Sequence, residues 1–464
     1  MKMALRPERI TNKMAKHTVR VRDMTQGSPI RLIIAFAIPL FIGNIFQQVY
    51  SMVDTMVVGY HLGDTGIAAI GATAALYSLL INFANGLNNG YGIIVTQRFG
   101  AHDWKKMRQA IAGMMILDAA ICLSLTAVAV VFLRPLMAFL NTPDSVFDMA
   151  YTYIRIICLG IVTTIGYNMF ASILRAMGNS RTPLYFLIFS SFLNIALDIL
   201  FVAGFELGIA GAAAATVLAQ AVSAILCGIY VLRNYAEYLP RKEDFRVPVE
   251  MLKILCSTGI SMALMSCLVD CGSVIFSRAN NLLGESYIAA HAAARKLLMM
   301  MIQPQASLSL ANSTFVGQNW GAKKYDRIRE TLRKVLLIEV LWGIFAAAVI
   351  YLFGGTLVRF TTGTNDADMI SHAVMSLRIH FATFPFLGVV FVMRHTLQAM
   401  GYKVIPICSS CIELGTKFLA ASWLIPKIGF LGTCITEPVT WVIMAVFLVT
   451  FYLKKGRKFA VNVK

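Results

Sequence analysis

The second half of the chain repeats the first. Leu62, Gly63, Ile67, Ala68 and Ala69 return as Leu283, Gly284, Ile288, Ala289 and Ala290, a shift of 221. Gln97, Gly100, Ala101 and Arg108 return at the same shift as Gln318, Gly321, Ala322 and Arg329. Arg155, Met177, Gly178 and Pro183 return as Arg378, Met400, Gly401 and Pro406 at 223, and Gly208 and Gly211 as Gly429 and Gly432 at 221. Identities at so steady an offset mean two copies of one structural unit. The chain is 58% hydrophobic with a mean hydropathy of +0.70. Its apolar residues fall into runs of roughly 20, the length that crosses a bilayer core of about 30 Å. A long period in such a chain predicts twin membrane bundles, and a cleft between such bundles is where transporters are expected to bind.

Twelve spans are expected, centred near residues 43, 79, 122, 162, 193, 220, 267, 300, 343, 385, 415 and 441. The runs are too long and too uniformly apolar for barrel strands, so the fold class is an all-α integral membrane protein of twelve transmembrane helices. Six spans per half is an even number. Both halves enter the membrane from the same side, which makes the repeat parallel. The expected organisation is a basic tail at 1–30, a first lobe at 31–233, a linker at 234–253, a second lobe at 254–453 and a basic tail at 454–464.

The net charge is +18, and its placement argues against nucleic acid as a partner. Lys and Arg gather in the N-terminal tail (Lys2, Arg6, Arg9, Lys13, Lys16, Arg20), in Arg98 to Arg108, in Arg233 to Arg246, in Lys323 to Lys334 and in Lys454 to Lys458. The alternate connections near 62, 142, 206, 285, 365 and 427 are nearly free of them. This is the positive-inside asymmetry, and it puts both termini in the cytoplasm. The nine cysteines show no metal-ligand spacing and read as small apolar packing residues.

An ionisable group at the centre of a span costs at least about 2.5 kcal/mol, so each one calls for a reason. Asp54 lies 23 residues beyond Arg31, roughly 35 Å along a helix. Asn194 and Asp198 share a face one turn apart, and Thr216 reaches the same level from the next span. Such an oxygen-rich group suits a proton or a hard cation. Gln47, Gln48 and Tyr50 extend the polar face below Asp54. In the second half Glu413, Lys417 and Glu437 are expected to meet, two acids to one base. Asp270 is expected to pair with Arg295 or Lys296, and Arg394 is a further candidate for substrate contact. No P-loop, His-Glu-x-x-His or Gly-x-Ser-x-Gly motif occurs, so no enzyme is expected.

These residues resemble the multidrug and toxic compound extrusion (MATE) transporters, from about Gly27 to about Tyr452. The segments that carry the resemblance are Ile38 to Gln48 with Met52-Val53-Asp54-Thr55, Val95 to Ala101 with its copy Val316 to Ala322, Ile173 to Pro183, and Asn194 to Asp198 followed by Gly208 to Ala213. The resemblance implies a V-shaped pair of six-helix lobes in a bacterial plasma membrane, acting as a monomer. It implies export of amphipathic, cationic drug-like molecules in exchange for H⁺ or Na⁺, with no other cofactor. By the same resemblance Asp54, Asn194, Asp198 and Thr216 serve the coupling ion, with Na⁺ a candidate at Asp54 and Asp198. A lipid-linked saccharide flippase of the same superfamily is the alternative, and Arg295, Lys296 and Arg394 would then hold an anionic headgroup.

Overall fold

A computed structural model describes residues 22–139 and 142–461, with side chains to Lys455. Most of the basic tail at 1–30, including Lys2 to Arg20, lies outside the described residues, as do the side chains at 456–464. Among the described residues there is no strand. The α-helices are α1 (Pro29–Gly100), α2 (Trp104–Phe139), α3 (Phe147–Leu159), α4 (Ile161–Ala176), α5 (Arg181–Asp198), α6 (Gly208–Asn234), α7 (Val249–Asn281), α8 (Glu285–Gly321), α9 (Tyr325–Thr362), α10 (Ala367–Ala382), α11 (Phe384–Ala399), α12 (Val404–Leu419), α13 (Ile425–Ile428) and α14 (Phe430–Val461).

The twelve expected spans are all present. α1 supplies two of them, because Gly63 leaves the helical region (φ 64°, ψ −160°) and folds the chain back. Only glycine adopts that backbone without strain. α3 with α4 and α10 with α11 are single spans bent by 45° and 51°. α8 is less apolar than its neighbours, and it buries Gln305, Ser307, Ser309, Asn312 and Ser313. A span enclosed by protein has no need of a lipid-compatible surface.

The repeat extends to backbone detail. Gly63 matches Gly284, Gly178 matches Gly401, Gly208 matches Gly429 and His102 matches Lys323, and every one of these residues has positive φ. α5 and α12 both end in a π-helical turn, at Ile199–Gly204 and Ala420–Leu424. Such wide turns gather at functional positions.

The lobes, α1–α6 and α7–α14, meet along a seam formed by α1, α7 and α8. Mid-seam, a Cβ on Gly86 would come 2.6 Å from Ala263 Cα and one on Gly90 2.6 Å from Gly259 Cα, so two glycines let the helices touch. At the basic end of the bundle a short segment before α1 is threaded across the seam. Met24 and Thr25 are buried. The Met24 amide donates to Gln318 Oε1 (2.7 Å), Lys324 Nζ donates to Thr25 O (2.9 Å) and Arg327 Nη2 to Gly27 O (2.6 Å). From the first lobe, Met177 O accepts from the Arg22 amide at 3.3 Å. Gly178 stands so close that a Cβ would lie 2.2 Å from Arg22 O. Beyond α6, Asp244 ties the inter-lobe connection to α2 through Arg108 Nε at 3.0 Å.

Candidate functional site

The first lobe encloses a cavity of about 360 Å³. Faces of five helices build it, with α3 contributing Tyr153. From α1 come Gln47, Gln48, Tyr50, Ser51, Asp54 and Thr55, then Thr73 and Tyr77 beyond the Gly63 break. α4 supplies Thr164, Tyr167 and Asn168, α5 supplies Leu187, Ser190, Ser191 and Asn194, and α6 supplies Thr216, Gln220 and Ser223. Each set follows the three-and-four spacing that keeps side chains on one side of a helix.

Asp54, Asn194 and Thr216 therefore line one space, as expected from the sequence. Asp198 does not touch the cavity. It is fully buried and faces Asp54 within hydrogen-bonding range. No donor of the described residues reaches Asp54 Oδ1, either oxygen of Asp198 or either amide atom of Asn194. Among the described residues neither carboxylate has a cationic partner. Two carboxylates in contact repel, and one proton or one small cation between them removes the repulsion. The surrounding donors are oxygens of carboxyl, amide and hydroxyl groups, which fit a proton or a hard monovalent cation and not a thiolate- or imidazole-seeking metal.

Gln47, Gln48 and Tyr50 also line the cavity. The sequence reading missed its aromatic and amide wall: Tyr77, Tyr153, Tyr167, Asn168 and Gln220. Asn168 and Gln220 had a signal in the polar spacing on α4 and α6, which a search for charged residues passes over; the three tyrosines had none. Part of this wall is braced internally, with Thr164 Oγ1 donating to Gln220 Oε1 (2.6 Å) and Tyr167 Oη to Pro183 O (3.1 Å).

The second lobe brings Glu413, Lys417 and Glu437 together, but the charge count differs from the expectation of two acids to one base. Lys417 Nζ lies 3.1 Å from Glu413 Oε1 and 3.5 Å from Glu437 Oε1. Arg295 Nη1 lies 2.7 Å from Glu437 Oε1, and Arg394 Nη2 3.5 Å from Glu413 Oε2. His380 Nε2 stands 3.5 Å from Glu437 Oε2. Three basic side chains thus surround two acids, and no acid is left short. The two arginines come from α8 and α11, which spacing within α12 and α14 does not reveal.

Asp270 is also corrected. Its partner is Asn82, whose Nδ2 donates to Asp270 Oδ2 at 2.8 Å across the seam. Arg295 is engaged by Glu437 instead. Lys296 is exposed and makes no ion pair among the described residues.

Twin six-helix repeats that cross a membrane, one of them enclosing a polar cavity with paired carboxyls, define a polytopic membrane transporter. The chain belongs to the MatE family, the multidrug and toxic compound extrusion transporters: the family model matches residues 39–200 and again 261–421. It is not an enzyme. It is similar to the probable multidrug resistance protein YpnP of Bacillus subtilis, 28% identical over 82% of this chain and 85% of that one. It is also similar to the probable multidrug resistance protein YoeA of the same organism, 24% identical over 90% and 92%. The structure of a MOP superfamily transporter from Pyrococcus furiosus superposes with a TM-score of 0.86 at 20% identity, covering 96% of this chain and 99% of that one. That likeness establishes the shared twelve-helix, two-lobed V.

Proposed function

We propose that the chain is a drug/cation antiporter of the bacterial plasma membrane, a monomer that exports amphipathic, cationic organic compounds in exchange for inward H⁺ or Na⁺. The observation that carries this reading is the Asp54–Asp198 pair, with one carboxyl on the wall of the cavity and the other sealed behind it. The wall also carries Tyr50, Tyr77, Tyr153 and Tyr167. Aromatic faces attract organic cations while tolerating varied shapes.

Coupling then follows from competition. With the pair deprotonated and free of metal, its negative charge favours a cationic drug. Uptake of H⁺ or Na⁺ cancels that charge and lowers drug affinity, and an ion can drive the transition only through such a difference between states. Each charge moving inward releases about 2.3 kcal/mol per 100 mV. The positive-inside asymmetry assigns the basic end to the cytoplasm, so the place where Gly100 packs on Gln318 and Gly321 on Gln97 is the cytoplasmic gate. No observation favours the flippase alternative, because Arg295 and Arg394 are each engaged by a glutamate.

The test is dye export from proteoliposomes under an imposed pH gradient and, separately, an imposed Na⁺ gradient. Asp54→Asn should bind a cationic dye more weakly and lose gradient-driven export. Export at the wild-type rate by that variant would defeat the assignment.

A further inference from the structure

Outside the cavity, each lobe holds one more buried carboxyl, and the two match in the repeat. Asn88 and Asp118 return as Ser309 and Glu339, both at 221. In each lobe the first residue of the pair sits on a seam helix, α1 or α8, and the carboxyl on the helix that follows, α2 or α9. Asn88 Nδ2 donates to Asp118 Oδ1 at 3.3 Å, and Ser309 Oγ to Glu339 Oε1 at 3.4 Å. Asp118 is 4% exposed and Glu339 1%.

In both pairs the second carboxyl oxygen, Asp118 Oδ2 or Glu339 Oε2, has no hydrogen-bond partner among the described residues. Among the described residues Asn88 Oδ1 in the first lobe has no donor, and in the second both amide atoms of Gln305, Nε2 and Oε1, have no partner. Gln305 is aimed at the site. A Cβ on Gly388 would lie 2.9 Å from Gln305 Nε2 and 3.0 Å from Glu339 Oε2, so this glycine keeps open the gap that both groups border.

We propose that Asp118 and Glu339 are a mirrored pair of proton-binding sites, one in each lobe and separate from the drug cavity. The missing counter-charge carries the argument. In the first lobe the orphaned carboxyl and amide oxygens are both acceptors, and a single added proton turns the carboxyl into a donor; in the second, Gln305 Nε2 is a neutral donor and leaves the charge of Glu339 uncompensated. No Lys, Arg or His forms an ion pair with either carboxyl among the described residues. The ionisable groups acting near Asp118 are Tyr91 on α1 and Cys122 on α2. Toward Glu339, α8 presents Ser309 and Gln305 and α11 presents Gly388, and none of these carries a charge. A carboxylate without a counter-charge is disfavoured inside a bilayer, whereas a carboxylic acid hydrogen-bonded on both oxygens is not. Each pair also joins a seam helix to its neighbour, so gain or loss of the proton acts on the helices that close the basic end. That role rests on the antiport reading, while proton occupancy itself does not.

Infrared spectroscopy of the full-length protein in lipid vesicles reads the protonated carboxyl directly through its C=O stretch. At neutral pH the wild type should show this band, and Asp118→Asn and Glu339→Gln should each remove part of it. Ser309→Ala leaves the carboxyl in place and should shift the Glu339 share of the band, which keeps the test informative if Glu339→Gln folds poorly. Spectra of all three variants identical to wild type in this region would overturn the proposal. For the role, Glu339→Gln should reduce export driven by a pH gradient while leaving dye binding unchanged. Loss of dye binding together with export would assign the residue to the fold instead. If Asp54→Asn keeps full export, the antiport reading falls, and the infrared bands still decide the two proton sites.

Discussion

Gly100 and Gln318 touch backbone to backbone: a Cβ on Gly100 would lie 1.9 Å from Gln318 O, and at the mirrored place one on Gly321 would lie 1.9 Å from Gln97 O. The same two glutamines complete the contact with their side chains. Gln97 Nε2 donates to Ala399 O at 2.7 Å and Gln318 Nε2 to Ala176 O at 2.9 Å. Ala176 and Ala399 are themselves repeat partners at 223. The basic end is thus closed by a clasp with local two-fold symmetry, as expected of parallel repeats related by an axis along the membrane normal. The conserved look of the two Gln-x-x-Gly-Ala copies within this one chain has a physical reason: each copy supplies both a glycine to be approached and a glutamine to reach across.

Gly100→Ala should therefore open the clasp. Alanine is the better helix former by about 1 kcal/mol, so an isolated helix would gain. Here the added methyl meets a carbonyl oxygen that cannot rotate away, and overpacking of this kind costs about 1–3 kcal/mol. The expected result is a lower melting temperature in detergent and greater labelling of a cysteine placed near the seam at this end. A variant as stable and as protected as wild type would mean that the lobes stand farther apart than described.

Gln318→Ala should cost more than Gln97→Ala. Gln97 makes one inter-lobe bond, to Ala399 O. Gln318 donates to Ala176 O and also accepts from the Met24 amide, so its loss leaves two buried backbone groups unpaired. Each such group carries a penalty of about 1–3 kcal/mol. Thermal unfolding of the two variants side by side checks the order, and equal losses would contradict it.

The parts of this architecture that were readable from sequence are those with periodic or compositional contrast. Apolar runs set the twelve spans, and the offset of 221 set the two lobes. Asp54, Asn194, Asp198 and Thr216 stood out because a polar group in an apolar run is rare. Tyr77, Tyr153 and Tyr167 did not, since aromatic residues are ordinary in spans and only tertiary packing decides which face a cavity. Arg295 and Glu437 are 142 residues apart, and their pairing depends on how α8 and α14 cross. Asp270 failed for the same reason. Its partner Asn82 lies 188 residues away in the other lobe, so spacing within its own half was the wrong place to look.

Glu437→Gln should destabilise the second lobe strongly. Glu437 neutralises Arg295 at 2.7 Å and helps to neutralise Lys417 at 3.5 Å, and Lys417 is almost fully buried. Removing one partner of a buried ion pair costs about 3–5 kcal/mol because the other charge stays behind. Replacing Arg295 by Met in the same protein removes one of the stranded charges and should recover part of the loss. Failure of the double variant to regain any thermal stability would show that Glu437 acts through something other than these cations.

Cavity residues should behave in the opposite way, altering selectivity more than stability. Gln220→Ala removes the acceptor for Thr164 Oγ1, but both side chains border the open cavity, where water can take the vacated place. A hydrogen bond exchanged for water costs about 0.5–1.5 kcal/mol at most. The melting temperature should therefore move little, while the ranking of exported dyes changes, because a polar part of the wall has become apolar. Tyr167→Phe is the contrasting control. Its hydroxyl donates to Pro183 O, a backbone acceptor at the start of α5, so this variant should lose stability and keep the ring that faces the substrate. Dye-export profiles and melting curves measured on both variants separate the two outcomes. Equal destabilisation of both, with the dye ranking unchanged, would mean that this wall serves the fold and not the cargo.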